Sequence, residues 1–173
     1  MIAPLSLSNV ITVLMAFACL WTIVPQARGG NVRLWRLAVP PGFATAQALV
    51  LLAGVFDATF LHDVEWLAGG VFGAVLGRMR GWTLPFTVDR VRRLLRVQPS
   101  IDIHVAAIGL VVLATIDFAS ASFEDPIVAT DYVAAGAAFF AGYIGGRALA
   151  IAVRVSRSNS RTSTPAETSL PPS

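Results

Sequence analysis

The chain has 173 residues, of which 55% are hydrophobic and only 13% charged, with a net charge of +3; a soluble domain of this length carries about 25% charge. The shortage is concentrated in apolar runs of about 20 residues, the length that crosses a hydrocarbon core roughly 30 Å thick, and it leaves no room for a soluble catalytic domain. A single cysteine, Cys19, excludes an internal disulfide and a CxxC redox pair.

The first run covers residues 5–24 and is expected to end at Val24-Pro25, because proline breaks the helical hydrogen-bond ladder. Cys19 inside it reads as a small packing residue. Its setting, Ala16-Phe17-Ala18-Cys19, lacks the leucine expected three residues before a lipid-modified cysteine, and no basic segment precedes the run. Neither lipid attachment nor a cleaved signal peptide is therefore expected. Gln26 to Gly42 forms a basic loop with Arg28, Arg33 and Arg36. Its Pro40-Pro41-Gly42 leads into the second run, 43–61, since proline is tolerated in a helix's first turn.

An acidic turn with His62, Asp63 and Glu65 follows. Trp66 marks an interface, where an indole is favoured, and opens a third run, 66–79, whose apolar part spans about 20 Å at 1.5 Å per residue. This run either crosses a thinned bilayer or dips in as a re-entrant segment. A crossing is preferred, because otherwise the six arginines from Arg78 to Arg96 would lie opposite the other seven. Between 82 and 100, the Val88/Val91/Leu95 spacing suits an interfacial helix, whereas the alternation of Leu84, Phe86 and Val88 suits an extended ribbon; a solvated loop is the third reading. The fourth run is 103–122, an acidic turn follows with Glu124 and Asp125, and the fifth run is 132–153. Residues 156–173 are rich in Ser, Thr and Pro without apolar period, and are expected to be a disordered tail.

All thirteen basic residues are arginines, in three clusters: Arg28 to Arg36, Arg78 to Arg96, and Arg147 to Arg161. Basic loops stay on the cytoplasmic side, so the expected fold is an all-α integral membrane bundle of five transmembrane helices, N-terminus out and C-terminus in. Asp63, Glu65, Glu124, Asp125 and Asp131 then fall outside. The absence of lysine suggests a GC-rich bacterial genome, and the expected location is the bacterial plasma membrane. Because the arginines flank apolar runs, their expected partner is anionic lipid, contacted by Arg90, Arg92, Arg93 and Arg96, and not nucleic acid.

Small residues recur every four positions: Gly69, Gly73 and Gly77 on the third run, and Ala138, Gly142, Gly146 and Ala150 on the fifth. In lipid, such faces let helix backbones approach closely, which places these two helices at the bundle centre or at a dimer interface. Leu49 to Ala53 can be laid on Leu110 to Ala114, and both later helices carry Gly-x-x-x-Gly-Arg, at Gly73 to Arg78 and Gly142 to Arg147. These matches are consistent with a parallel repeat. Asp57 and Asp117, with Tyr132, form a candidate cation or proton site, since carboxylates inside apolar runs are expensive; polar helix ends reaching the interface are the alternative. Arg147 lies about one turn inside the fifth helix, where it can snorkel, pair with Asp102 or bind an anionic lipid. His62, Asp63 and Glu65 lack zinc-like spacing. No nucleophile–base pair, phosphate loop or dinucleotide fingerprint occurs, so no metal, cofactor or catalytic residue is expected.

The basic loop leading through Val39-Pro40-Pro41 into an apolar helix, Arg33 to Leu52, together with Gly73-Ala74-Val75-Leu76-Gly77-Arg78-Met79-Arg80-Gly81, resembles the CcdC-like group of small bacterial multi-pass membrane proteins over about residues 26–120. The resemblance implies a small helical membrane protein. The group's name points to cytochrome c biogenesis, but this chain has no thiol pair or haem motif to carry that link. The function expected is a non-enzymatic accessory or scaffold acting through helix–helix contacts with itself or another membrane protein. The alternative is a small transporter or ion pathway using Asp57 and Asp117.

Overall fold

The computed structural model describes residues 7–54, 60–89, 94–121 and 128–160. They are mostly helical. Helix α1 is Leu7–Ala27, α2 is Val39–Gly54, α3 is Phe60–Thr83, α4 is Asp102–Ser120 and α5 is Thr130–Ser160. Three short strands, β1 (Asn31–Arg33), β2 (Phe86–Asp89) and β3 (Leu94–Val97), form one antiparallel sheet in the order β1-β3-β2. A 3-10 turn, Leu34–Leu37, joins β1 to α2.

Local chemistry explains where these elements begin and end. Helix α1 runs past Pro25 and closes in a glycine turn. Gly30 N–H donates to the Pro25 carbonyl at 2.9 Å and Gly29 N–H to Gln26 at 3.2 Å, with Gly29 at φ 73°. This is the left-handed C-terminal motif that glycine adopts without steric penalty, so the helix ends here and not at Val24-Pro25. Helix α2 starts at Val39, with Pro40 and Pro41 in its first turn, where their missing N–H groups would be unpaired in any case. Helix α5 continues to Ser160, so residues 156–160 of the expected tail are helical; 161–173 lie outside the described residues.

The stretch between α3 and α4 is an extended ribbon. Val88 pairs with Leu95 and Phe86 with Val97. The all-α expectation is corrected by this sheet, above all by β1, which pairs Val32 with Leu95 inside what reads as a basic loop.

The sheet collects one end of every helix. Gln26, at the end of α1, donates to the Arg36 carbonyl at 3.2 Å. Arg154, near the end of α5, donates to the carbonyls of Gly81 and Leu84, at the end of α3. Gly29 lies against Pro99, just before α4. The chain therefore runs towards the sheet in α1, α3 and α5, and away from it in α2 and α4. The described arginines all belong to this end, whereas Asp63, Asp117 and Asp131 lie towards the other. Four helical segments are long and apolar enough to cross a membrane: Leu7–Gln26, Trp35–Ala53, Asp102–Ser120 and Thr130–Ser158. Helix α3, with Asp63, Glu65, Arg78 and Arg80 in its 24 residues, is not among them.

Two apolar clusters hold the fold. The larger joins Cys19 and Ile23 of α1, Ala44, Ala48 and Leu51 of α2, Ala107 and Leu110 of α4, and Val133, Ala137 and Ile144 of α5. The smaller seats Leu95 and Val97 of the sheet, with Leu37 and Leu84, on Ile151 and Val155 of α5. Helix α5 is the hub, packed by α2, α3 and α4. Helix α3 lies extensively along α5 and makes no comparable contact with another helix among the described residues. The fifth helix is thus central, as its small residues suggest, but the third is peripheral.

Candidate functional site

Two features stand out: a glycine seam between α3 and α5, and a buried charge cluster where that seam meets the sheet. Along the seam, a Cβ placed on Gly69 would lie 2.7 Å from the Ala135 carbonyl oxygen. One on Gly73 would collide with the Phe139 carbonyl, and one on Gly77 with that of Tyr143. One on Gly81 would lie 2.8 Å from the Arg147 carbonyl. Partners rise in number together, so the helices are parallel. The glycine hydrogen that replaces each Cβ points at a carbonyl oxygen, a weak Cα–H···O contact worth about 0.5–1 kcal/mol.

The seam is reciprocal. Gly142 meets the Gly70 carbonyl and Gly146 that of Ala74. Gly70 stands three residues before Gly73, as Phe139 stands three before Gly142; Ala74 and Gly77 match Tyr143 and Gly146 in the same way. Each helix presents the same surface to the other, the isologous arrangement of a two-fold pair. The relation stops at these two helices. Among the described residues, both α2 and α4 pack on α5 and neither packs comparably on α3, so the two predicted hairpin repeats are not arranged alike there.

The charge cluster is centred on Asp102, the first residue of α4, where the helix N-terminus favours a carboxylate. The Tyr143 hydroxyl donates to Asp102 Oδ2 at 2.7 Å. Arg147 Nε lies 3.4 Å from the same oxygen and Arg80 Nε 3.7 Å from it. Arg147 Nη2 donates to Ser100 Oγ at 3.0 Å. Tyr143 and Arg147 are four apart on α5 and so share a helix face. One carboxylate oxygen thereby ties α3, α4 and α5 together at one depth. Arg147 is only 2% exposed. Its Nε and Asp102 Oδ1 are buried without a hydrogen-bond partner. Beyond the cluster, the Arg154 bonds to Gly81 and Leu84, at 2.9 and 2.6 Å, cap the end of α3. The Arg154 guanidinium lies 4.5 Å over the Phe86 ring, and that of Arg157 lies 5.5 Å over Trp82.

The other predicted site residues are dispersed. Asp117 is half-buried near the end of α4, and Tyr132 is 64% exposed at the start of α5. No hydrogen bond or ion pair among the described residues joins them, and Asp57 lies outside those residues. Arg96 is exposed on β3; Arg90, Arg92 and Arg93, with Glu124 and Asp125, lie outside the described residues. Asp63 and Glu65 are exposed on α3. Among the described residues, no three His, Cys, Asp or Glu side chains gather as metal ligands.

Of the Asp102 cluster, the Arg147–Asp102 pair was one of the alternatives the sequence offered. Tyr143 and Ser100 were not foreseen, although Tyr143 four residues before Arg147 was a readable signal. Gln47 was also missed. It is fully buried and donates to the Leu110 carbonyl at 3.2 Å, bonding α2 to α4; a glutamine inside an apolar run is the cue for such an interhelical bond. The chain matches no protein family, and no curated protein or solved structure is similar to it.

Proposed function

We propose that this chain is a non-enzymatic scaffold of the bacterial plasma membrane, crossing it five times, with the N-terminus out and the arginine-bearing sheet in the cytoplasm. The third crossing is supported by the seam. Helix α3 runs parallel to α5, a helix long enough to span, and it carries the chain from the far end of α2 to the sheet. The orientation is supported by the gathering of the described arginines at the sheet end, because basic segments are retained in the cytoplasm. Kinship with the CcdC-like group belongs to this proposal at the level of architecture alone.

Scaffolding through the glycine faces, the route suggested by the residue pattern, is replaced here by another. Those faces are occupied within the chain. The observation that carries the reading is the free side of α3. Val64, Leu67, Val71, Val75 and Met79 are between 45% and 63% exposed there, on a helix that, among the described residues, has only α5 as an extensive neighbour. A partner membrane protein seated on α3 would give it the second neighbour that α5 already has. The test is a photo-crosslinking residue at Leu67 or Val71 in native membranes. A discrete protein adduct is expected, and adducts with lipid alone would overturn the scaffold reading.

A further inference from the structure

The sheet has two unlike faces. Val32, Leu95 and Val88 stand opposite one another in the register; Leu95 and Val88, with Val97 and Phe86, pack on α5, and Val32 is buried on the same side of the sheet. The intervening residues form the other face: Asn31, Arg96 and Thr87 in one row, Arg33 and Leu94 in the next. Asn31, Arg33, Thr87 and Arg96 are all exposed. At the backbone, Asp89 pairs with Leu94. Arg33 and Arg96 are diagonal neighbours on adjacent strands, which sets them roughly 7–8 Å apart. That spacing lets two guanidinium groups reach one phosphate, the acceptor best matched to their planar donors. Neither has an ion-pair partner among the described side chains.

The depth of this face is marked on both sides. Trp35, 60% exposed, follows Arg33 by two residues, and Trp82, also exposed, lies just before β2. Each carries an arginine, Arg36 at 5.5 Å from the Trp35 ring centre and Arg157 over Trp82. Indole rings settle at the membrane–water interface, so the strands between them lie at headgroup level.

We infer that the outer face of the sheet is a contact surface for the phosphate of anionic glycerophospholipids, with Arg33 and Arg96 as paired ligands and Asn31 and Thr87 as flanking donors. This rests on the reading above that the sheet end lies at the cytoplasmic leaflet. Strands from two distant parts of the chain supply the pair, so the surface exists only in the folded protein.

The test uses the full chain in mixed micelles of phosphatidylglycerol and phosphatidylcholine, with retained lipid counted by native mass spectrometry. The wild type is expected to retain phosphatidylglycerol preferentially. Arg33→Gln with Arg96→Gln is expected to lower that preference by roughly 30-fold, and Arg96→Gln alone by about 5-fold. An unchanged preference in both variants overturns the inference. So does full displacement of the bound lipid by millimolar inorganic phosphate, which would assign the surface to a soluble anion. Side-specific labelling of Gln98→Cys, an exposed position just after β3 and outside the proposed surface, separates the two levels. Labelling from the cytoplasm with unchanged lipid preference removes this inference alone, whereas labelling from outside removes the orientation beneath it.

Discussion

The pattern Gly-x-x-x-Gly-Arg occurs once in α3 and once in α5, and its two arginines meet opposite fates. Arg78 is exposed, whereas Arg147 is buried against Asp102 and Ser100. The glycines do the same work in both helices, each letting its neighbour's carbonyls approach. The arginines differ because their surroundings differ. Among the described residues, helix α5 is flanked by α4, whose first residue is a carboxylate, whereas α3 reaches that carboxylate only through the half-exposed Arg80. A small-residue motif sets how closely two backbones approach, and the third helix decides whether the adjoining charge is buried.

That contrast can be broken in graded steps. The largest effect is expected from Gly73→Leu with Gly77→Leu, which force side chains into the backbone of α5 at positions where neither helix can yield; each overpacks by about 1–3 kcal/mol or more. Loss of the thermal transition in detergent and aggregation on gel filtration check this. Asp102→Ala comes next. It leaves Arg147 buried and uncompensated, an arrangement that costs about 3–5 kcal/mol, and is seen as a lowered melting temperature. Adding Arg147→Met to Asp102→Ala should return at least half of that loss, since no unpaired charge then stays buried. The Gln47→Leu variant removes one interhelical bond and is expected to lose about 0.6 kcal/mol. Arg78→Gln, the counterpart of Arg147 on α3, should change stability by less than about 0.5 kcal/mol. Equal losses for Arg78→Gln and Arg147→Gln would erase the distinction between the two helices.

Much of the helical skeleton was legible because apolar runs of membrane length admit few alternatives. The seam was half legible. A four-residue spacing of Gly69, Gly73 and Gly77 names the face of a helix that packs closely, but it cannot name the neighbour or whether that neighbour belongs to the same chain. The sheet was harder. Val32 sits alone between Asn31 and Arg33, and three residues are too few to show a two-residue period; its pairing with Leu95 joins segments far apart in the chain. The ribbon itself was one of two patterns that Leu84 to Val97 satisfied, and packing against Ile151 and Val155 selected it. In the charge cluster, opposite charges at one depth suggested Asp102 with Arg147. Tyr143 and Ser100 entered through the tertiary geometry of α4 beside α5.

The passage of α3 through the bilayer, beside α5 and in the same direction, is tested most directly by single cysteines at its two ends. In a Cys19→Ala background, Asp63→Cys and Thr87→Cys are probed with a membrane-impermeant maleimide, first on intact cells and then after permeabilisation. Position 63 is expected to label in intact cells and position 87 only once the reagent reaches the interior. Labelling of both from the same side would make α3 a re-entrant segment and contradict the five-crossing arrangement.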